Sequence, residues 1–148
     1  MLARTNRLLA ELAPDPFTSC LYARLDFAPR RVTLASAGHP PPLLRRADGD
    51  TRPAVVSPGP LLGIDPEAVF PLTEIPLTPG VMFTFYTDGL IEKPGIDLDD
   101  AIAGLTHHLT QAGERDLDLL IDHLLRKAGT EGQRADDIAL LVLHHDAG

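Results

Sequence analysis

The spacing of apolar residues changes along the chain from that of strands to that of helices. Between residues 17 and 77, short strand-like runs are separated by proline- and glycine-rich turns, and in residues 17–27 apolar and polar residues alternate, a pattern that predicts strands with one buried face. Beyond residue 96, leucine and isoleucine recur every three or four positions, which is typical of amphipathic helices. A further helix is predicted at residues 1–14, where leucines share one face and Pro14 ends the helix. The predicted strands cover residues 17–27, 30–38, 43–46, 51–56 and 69–77, and the two later helices cover residues 97–113 and 115–129.

Two other runs are apolar at nearly every position instead of every second one. Residues 81–86 read VMFTFY and residues 138–144 read IALLVLH. Such runs predict strands that are buried on both faces, in the middle of a sheet. A charge introduced at Leu141 is therefore expected to unfold the protein. Antiparallel strands, two helices and a last central strand together predict a layered α+β domain, with helices packed on a sheet.

Composition narrows the class of protein. The length of 148 residues suits one domain, 44% of the residues are hydrophobic, and Cys20 as the single cysteine excludes an internal disulfide. The net charge of −8 argues against nucleic acid and anionic membranes as partners. No apolar stretch has the length of a membrane-spanning helix, and charged residues interrupt the N-terminal segment, so no signal peptide is expected. The composition predicts a cytoplasmic protein.

Aspartates flank the two apolar runs. Asp88 comes just after the first run, and Asp136 and Asp137 precede the second. If the two strands are antiparallel neighbours, Asp88 and Asp136 face each other at one end of the sheet, where a cation would offset their repulsion. Carboxylate oxygens suit Mg²⁺ or Mn²⁺, and Gly89 would allow a sharp turn. The alternative is plain turn and capping chemistry, for which Asp-Gly and Asp-Asp pairs are also common.

Four motifs point to a known family. They read ASAGHPPPLL at residues 35–44, GPLLG at 59–63, FYTDGLIE at 85–92 and ADDIALLVL at 135–143. In this order and spacing they resemble the stage II sporulation protein E family, the bacterial branch of the metal-dependent phosphatase 2C-like proteins. The resemblance covers almost the whole chain. It implies a phosphatase 2C-like layered sandwich of antiparallel β-sheets with packed α-helices.

The resemblance also implies an activity and a set of ligands. In such phosphatases the aspartate of Thr-Asp-Gly and the first aspartate of Asp-Asp bind metal, and they map onto Asp88 and Asp136. Two Mn²⁺ or Mg²⁺ ions activate a water molecule that attacks phosphoserine or phosphothreonine, so no catalytic residue beyond the metal ligands is expected. Gly89, Asp137 and His39 are supporting candidates, and a structural role of His39 before the three prolines is the alternative. The implied partner is a phosphorylated regulatory protein resembling an anti-anti-sigma factor, in bacterial signalling.

The chain departs from the family at one motif. The first metal motif, Gly-Asp-x-x-Gly-x-Gly, does not occur in the sequence and is expected N-terminal to residue 1. Residues 1–148 would then be a single domain, the C-terminal two-thirds of a complete one, and would hold one ion or none. Two alternatives to an active phosphatase follow, a non-catalytic docking module of the same fold and a truncated form of a longer protein. An open sheet edge, and self-association through it, are also expected.

Overall fold

The computed structural model describes residues 1–12, 17–91, 95–112, 117–130 and 137–146. They fall into two compact units, the first made of Met1–Pro41 and Val55–Thr78 and the second of Pro42–Ala54 and Pro79–Gly148. In chain order the helices and strands are α1 (Leu2–Leu12), β1 (Cys20–Asp26), β2 (Arg31–Ala37), β3 (Leu43–Arg45), β4 (Thr51–Pro53), β5 (Thr73–Pro76), β6 (Met82–Tyr86), α2 (Leu98–Ala112), α3 (Leu117–Thr130) and β7 (Leu140–His144).

The first unit contains a three-stranded antiparallel sheet and helix α1. Strand β2 lies between β1 and β5 and pairs with both. Its residues 32–37 are all buried, as expected for the central strand of a small sheet. The helix contributes Leu2 and the partly buried Leu9 to the core of this unit, whereas Leu8 and Leu12, which the sequence pattern placed on the apolar face, are exposed. The predicted helix is present, but its predicted apolar face is only partly used for packing. The buried residues of this core are Leu2, Ala35, Ala37, Leu62 and Phe70.

The second unit contains a four-stranded antiparallel sheet in the order β4-β3-β6-β7, with helices α2 and α3 packed on it. Strand β6 pairs with β3 on one side and β7 on the other. The apolar residues spaced three or four apart on the two helices meet the sheet in one core, as the sequence pattern predicted. Within the described residues, each helix is too short or too polar to cross a lipid bilayer. The buried residues of this core are Leu43, Met82, Tyr86, Leu90, Ile91, Ile102, Leu105, Leu109, Leu120 and Leu124.

Asp48-Gly49 and Thr78-Pro79-Gly80 are sequences typical of turns, and in both turns the glycine lies in the left-handed region. Gly49, at the tip of the β3–β4 hairpin, has a φ of 89° and donates its N–H to the carbonyl of Arg46 at 2.9 Å. Gly80, which leads into β6, has a φ of 76°, and a Cβ at this position would lie 2.7 Å from Cβ of Ala47. A larger residue would be strained at both positions, and at Gly80 it would also collide with the hairpin.

Most predicted elements are present, although the strands are shorter than predicted. The α+β class, the antiparallel sheets and the packed helices are confirmed. The strand predicted over residues 69–77 is reduced to Thr73–Pro76, and the strand predicted over 51–56 is reduced to Thr51–Pro53. Prolines at these positions limit how far a strand can pair, because they lack a backbone N–H.

The last strand differs from the prediction. Among the described residues, β7 is an edge strand of the sheet, paired with β6 alone. Leu140 and Val142 pack against the core beneath the helices, whereas Leu141 lies on the opposite face and is 61% exposed. The prediction that residues 138–144 form a central strand buried on both faces is therefore wrong. The expectation that a charge at Leu141 unfolds the protein rested on that burial, and the exposure of the side chain removes this basis.

Candidate metal site

The Thr-Asp-Gly motif forms a tight turn at the end of β6. A single 3₁₀ turn covers Asp88–Leu90, and its first hydrogen bond joins the N–H of Leu90 to the carbonyl of Thr87 at 3.0 Å. The side chain of Asp88 is half-buried, and its Oδ1 accepts a hydrogen bond from the N–H of Gly89 at 3.1 Å. Gly89 does not have a positive φ, so its dihedral angles here do not require a glycine. The buried strand thus ends on a carboxylate whose orientation is fixed locally.

The strand that precedes this turn pairs with the strand that follows Asp136 and Asp137. The β6–β7 register sets Tyr86 opposite Leu140, and one position further on the N–H of Thr87 donates to the carbonyl of Ala139 at 3.0 Å. The two strands are antiparallel, so the end of β6 and the beginning of β7 lie at the same end of the sheet. This is the strand pairing on which the predicted metal site depends.

Thr87 makes two further contacts that sequence reasoning did not anticipate. Its Oγ1 donates to the carbonyl of Asp137 at 3.1 Å and accepts the N–H of Ala139 at 2.8 Å. The hydroxyl therefore joins the turn that carries Asp88 to the residues that lead into β7. The sequence did offer a signal for these contacts, namely a threonine between a buried strand and an Asp-Gly pair, because threonine hydroxyls commonly form hydrogen bonds with nearby backbone groups.

The predicted site residues are distributed unevenly in the structure. Asp88, Gly89 and Asp137 belong to this end of the β6–β7 pair, with Asp137 exposed to solvent. Asp136 lies outside the described residues, so its position relative to Asp88 stays a prediction. His39 belongs to the first unit, where its Nδ1 is 2.9 Å from Oγ of Ser19 in a hydrogen bond.

The backbone of His39 is held by a second serine. The hydroxyl of Ser36 donates to the carbonyl of His39 at 3.1 Å and accepts its N–H at 3.3 Å. These contacts hold the chain where it enters the three prolines. They correspond to the structural alternative considered for His39, and a role of this residue near a metal ion stays a prediction.

The described residues include a ligand of the type that binds hard cations, but they provide too few such ligands for a complete metal site. Asp88 offers a carboxylate, and oxygen ligands of this type suit Mg²⁺ and Mn²⁺. The described residues contain no group of three or more His, Cys, Asp or Glu side chains that could hold a metal ion. Burial raises the pKa of the neighbouring Tyr86 to about 12, so its hydroxyl is neutral near pH 7 and adds no anionic oxygen. A complete metal site at this end of the sheet would therefore need ligands in addition to those that the described residues provide.

Comparison with known proteins identifies the family. The profile described as Stage II sporulation protein E (SpoIIE) matches residues 1–146. The RsbU and RsbW domains of a Mycobacterium tuberculosis protein are 31% identical, with a TM-score of 0.83, over 99% of this chain and 41% of that chain. The phosphatase domain of the cell fate determinant SpoIIE from Bacillus subtilis, presoaked with Mn, is 19% identical, with a TM-score of 0.71, over 99% of this chain and 65% of that chain. The SiaA-PP2C domain of Pseudomonas aeruginosa is 18% identical, with a TM-score of 0.79, over 98% of this chain and 59% of that chain.

The comparisons extend over almost all of this chain but only part of its relatives. This chain spans between 41% and 65% of the length of the three solved chains. The likeness confirms the phosphatase 2C-like fold that the motifs indicated. Because the family profile matches nearly every residue, the chain belongs to the Stage II sporulation protein E (SpoIIE) family.

Proposed function

We propose that this chain is a metal-dependent protein phosphatase acting on phosphoserine or phosphothreonine. One observation supports the proposal most strongly. In a member of the SpoIIE family, the Thr-Asp-Gly turn after β6 is hydrogen-bonded to the residues that precede β7. The turn that carries Asp88 is thus adjacent to residues 137–139, which follow Asp136 in the chain, and this adjacency supports a shared metal site.

Asp88 and Asp136 are the proposed ligands of one or two Mn²⁺ or Mg²⁺ ions, with Asp137 and Gly89 in support. When bound, such ions lower the pKa of a water molecule and neutralise the charge of the substrate phosphate. The chain itself positions Asp88. The 3₁₀ turn fixes the backbone of Asp88 at the end of a buried strand, and the N–H of Gly89 orients the carboxylate of Asp88. No other side chain is assigned to the reaction.

The proposed substrate is a phosphorylated regulatory protein of the bacterial cytoplasm, similar to an anti-anti-sigma factor. The relative from Mycobacterium tuberculosis carries an RsbW domain as well as an RsbU domain, which supports a regulatory role through protein partners. The net charge of −8 disfavours nucleic acid and anionic membranes as partners.

Hydrolysis of p-nitrophenyl phosphate with Mn²⁺ tests the activity. Asp88→Asn and Asp136→Asn should each lower the rate by about two orders of magnitude or more, because each removes a charged ligand. Asp100→Asn is the matched control, since Asp100 is an exposed residue in the first turn of α2 and should leave the rate unchanged. A rate that Asp88→Asn leaves unaltered would refute the assignment of the site.

The alternative is a non-catalytic docking module with the same fold. The absence of a group of three or more metal-ligating side chains within the described residues favours it. Such a module would bind a phosphorylated partner without turning it over. A folded protein that shows no Mn²⁺-dependent hydrolysis, yet retains a phosphorylated partner in a binding assay, would support this alternative over the phosphatase.

Self-association through the edge of the second sheet is a further proposal. No described strand pairs with the outer side of β7, and the exposed Leu141 lies on this strand. An unpaired strand edge with an apolar side chain is prone to pair with another chain. Light scattering over a range of protein concentrations should show a dimer, and a monomeric mass at every concentration would contradict the proposal.

A further inference from the structure

We propose that Thr87 is a positioning residue, whose hydroxyl holds the residues before β7 in place beside the Asp88 turn and so sets the distance between the two halves of the metal site. The proposal rests on the proposed function, because it assigns Thr87 a role toward the ligands Asp88 and Asp136. Thr87 itself would not contact the metal ion or the substrate.

The hydroxyl of Thr87 replaces a backbone hydrogen bond. In a regular antiparallel pair, opposing residues exchange two N–H···O bonds. Thr87 and Ala139 make the first of these, from the N–H of Thr87 to the carbonyl of Ala139 at 3.0 Å. The carbonyl of Thr87 is used by the N–H of Leu90 in the 3₁₀ turn, and the N–H of Ala139 donates to the hydroxyl of Thr87 at 2.8 Å instead. The chain can therefore turn at Asp88 without losing its pairing with β7.

The hydroxyl also extends the contact beyond the last paired residue. It donates to the carbonyl of Asp137 at 3.1 Å, two residues before Ala139 and next to Asp136 in the chain. Thr87 precedes the 3₁₀ turn, yet its hydroxyl makes no capping hydrogen bond to that turn. A threonine at this position commonly caps the following helix, so the side chain is committed to the neighbouring segment instead.

Ligand sites depend on such supporting contacts. A metal site needs its ligands held within about half an ångström of their working positions, and loss of a supporting hydrogen bond typically weakens metal affinity roughly 10- to 100-fold. Residues 137–139 belong to no strand, and Asp137 and Ala139 are exposed. Ile138, between them, packs against the core beneath the helices, and the hydroxyl of Thr87 adds two hydrogen bonds that join this segment to the turn.

The same strand offers a matched control. Thr84 is 1% exposed, and within the described part of the chain its Oγ1 has no hydrogen-bond partner. Valine has nearly the shape of threonine without the hydroxyl, so Thr84→Val removes a hydroxyl from β6 without breaking a hydrogen bond. Thr87→Val removes both hydrogen bonds that the Thr87 hydroxyl makes to Asp137 and Ala139, whereas Thr87→Ser keeps the hydroxyl.

The test combines Mn²⁺ affinity, measured by titration, with amide hydrogen exchange of the metal-free protein. In Thr87→Val, exchange at Ala139 should be about fivefold faster, and the dissociation constant for Mn²⁺ should rise roughly 10- to 100-fold. Thr87→Ser and Thr84→Val should resemble the wild type in both measurements.

Three outcomes would overturn the proposal, and they differ in what they imply. Faster exchange at Ala139 with unchanged Mn²⁺ affinity would make Thr87 a structural residue only. Unchanged exchange would mean that the hydroxyl does not hold the segment. A wild type whose Mn²⁺ binding is absent, or is unaffected by Asp88→Asn, would refute the proposed metal site itself, and the role of Thr87 with it.

Discussion

Strands β6 and β7 are similarly apolar but differ in their surroundings. Both are short apolar runs, MFTFY and LLVLH. Strand β6 lies between two partners and four of its five residues are buried, with Phe83 fully so. Strand β7 has a partner on one side only among the described residues, and none of its five residues is fully buried, with Leu141 61% exposed. An apolar run therefore identifies a strand without telling how many neighbours it has.

The difference matters for the candidate site because the two strands contribute to it unequally. Strand β6 pairs with β3 over residues 82–84 and with β7 over its whole length, and Tyr86 at its end is buried in the core beneath the helices, so Asp88 follows a paired and buried strand. The beginning of β7 is preceded by residues 137–139, which are held to the turn through Thr87. The turn that carries Asp88 is thus positioned by the sheet, whereas residues 137–139 are held by the backbone and hydroxyl of Thr87 and by the packing of Ile138. Substitutions in the two strands should separate these contributions.

The largest effect on stability is expected at the centre of β6. Phe83→Ala should lower the free energy of unfolding by about 3–5 kcal/mol, because the side chain is fully buried and its removal leaves a cavity. Urea denaturation followed by circular dichroism measures the change. A loss below about 1 kcal/mol would mean that the environment of Phe83 collapses around the smaller side chain, and that β6 is less rigid than its pairing and burial indicate.

A smaller effect of opposite sign is expected one residue further along β6. Thr84→Val should leave the free energy of unfolding unchanged or raise it by about 1 kcal/mol, because it removes a buried hydroxyl without a hydrogen-bond partner in the described part of the chain. The same denaturation experiment measures it. A clear loss of stability would show that the hydroxyl of Thr84 has a partner, such as a bound water molecule.

The smallest effect is expected on β7. Leu141→Arg should change the free energy of unfolding by no more than about 0.5 kcal/mol, because the side chain is largely exposed and the charge stays in water. Phe83→Arg is the matched control and should prevent folding, since it would bury an unpaired charge. If Leu141→Arg were as damaging as Phe83→Arg, the face of β7 that carries Leu141 would be buried, as the apolar run alone had predicted.

The sequence alone was sufficient to predict most of the helices and strands, and to predict the end of the sheet at which the metal site is expected. The strands and helices follow from periodicity, and the Gly49 and Gly80 turns from local residue chemistry. The family followed from four short motifs rather than from any single one. These features depend on residues that are near one another in the chain, or on patterns that a family retains.

Other features depend on contacts between segments far apart in sequence. The edge position of β7 could not be read from its residues, because a strand with one neighbour and a strand with two can have the same apolar composition. The hydrogen bonds of Thr87 join residues about fifty positions apart and require the β6–β7 register to be known. The contact between His39 and Ser19 likewise joins the residue just before β1 to a residue that follows β2, and no periodic pattern in the sequence indicates it.

The most direct test of the central claim is a Mg²⁺ titration followed by two-dimensional NMR of the amide groups. The account predicts that Mg²⁺ shifts the amide signals of Asp88, Gly89 and Asp137, and that the signals of Met82 and His144, at the opposite end of the same strands, change little. Asp88→Asn should abolish these shifts. Shifts of equal size at both ends of the strands, or shifts that persist in Asp88→Asn, would contradict the assignment of a metal site to this end of the sheet.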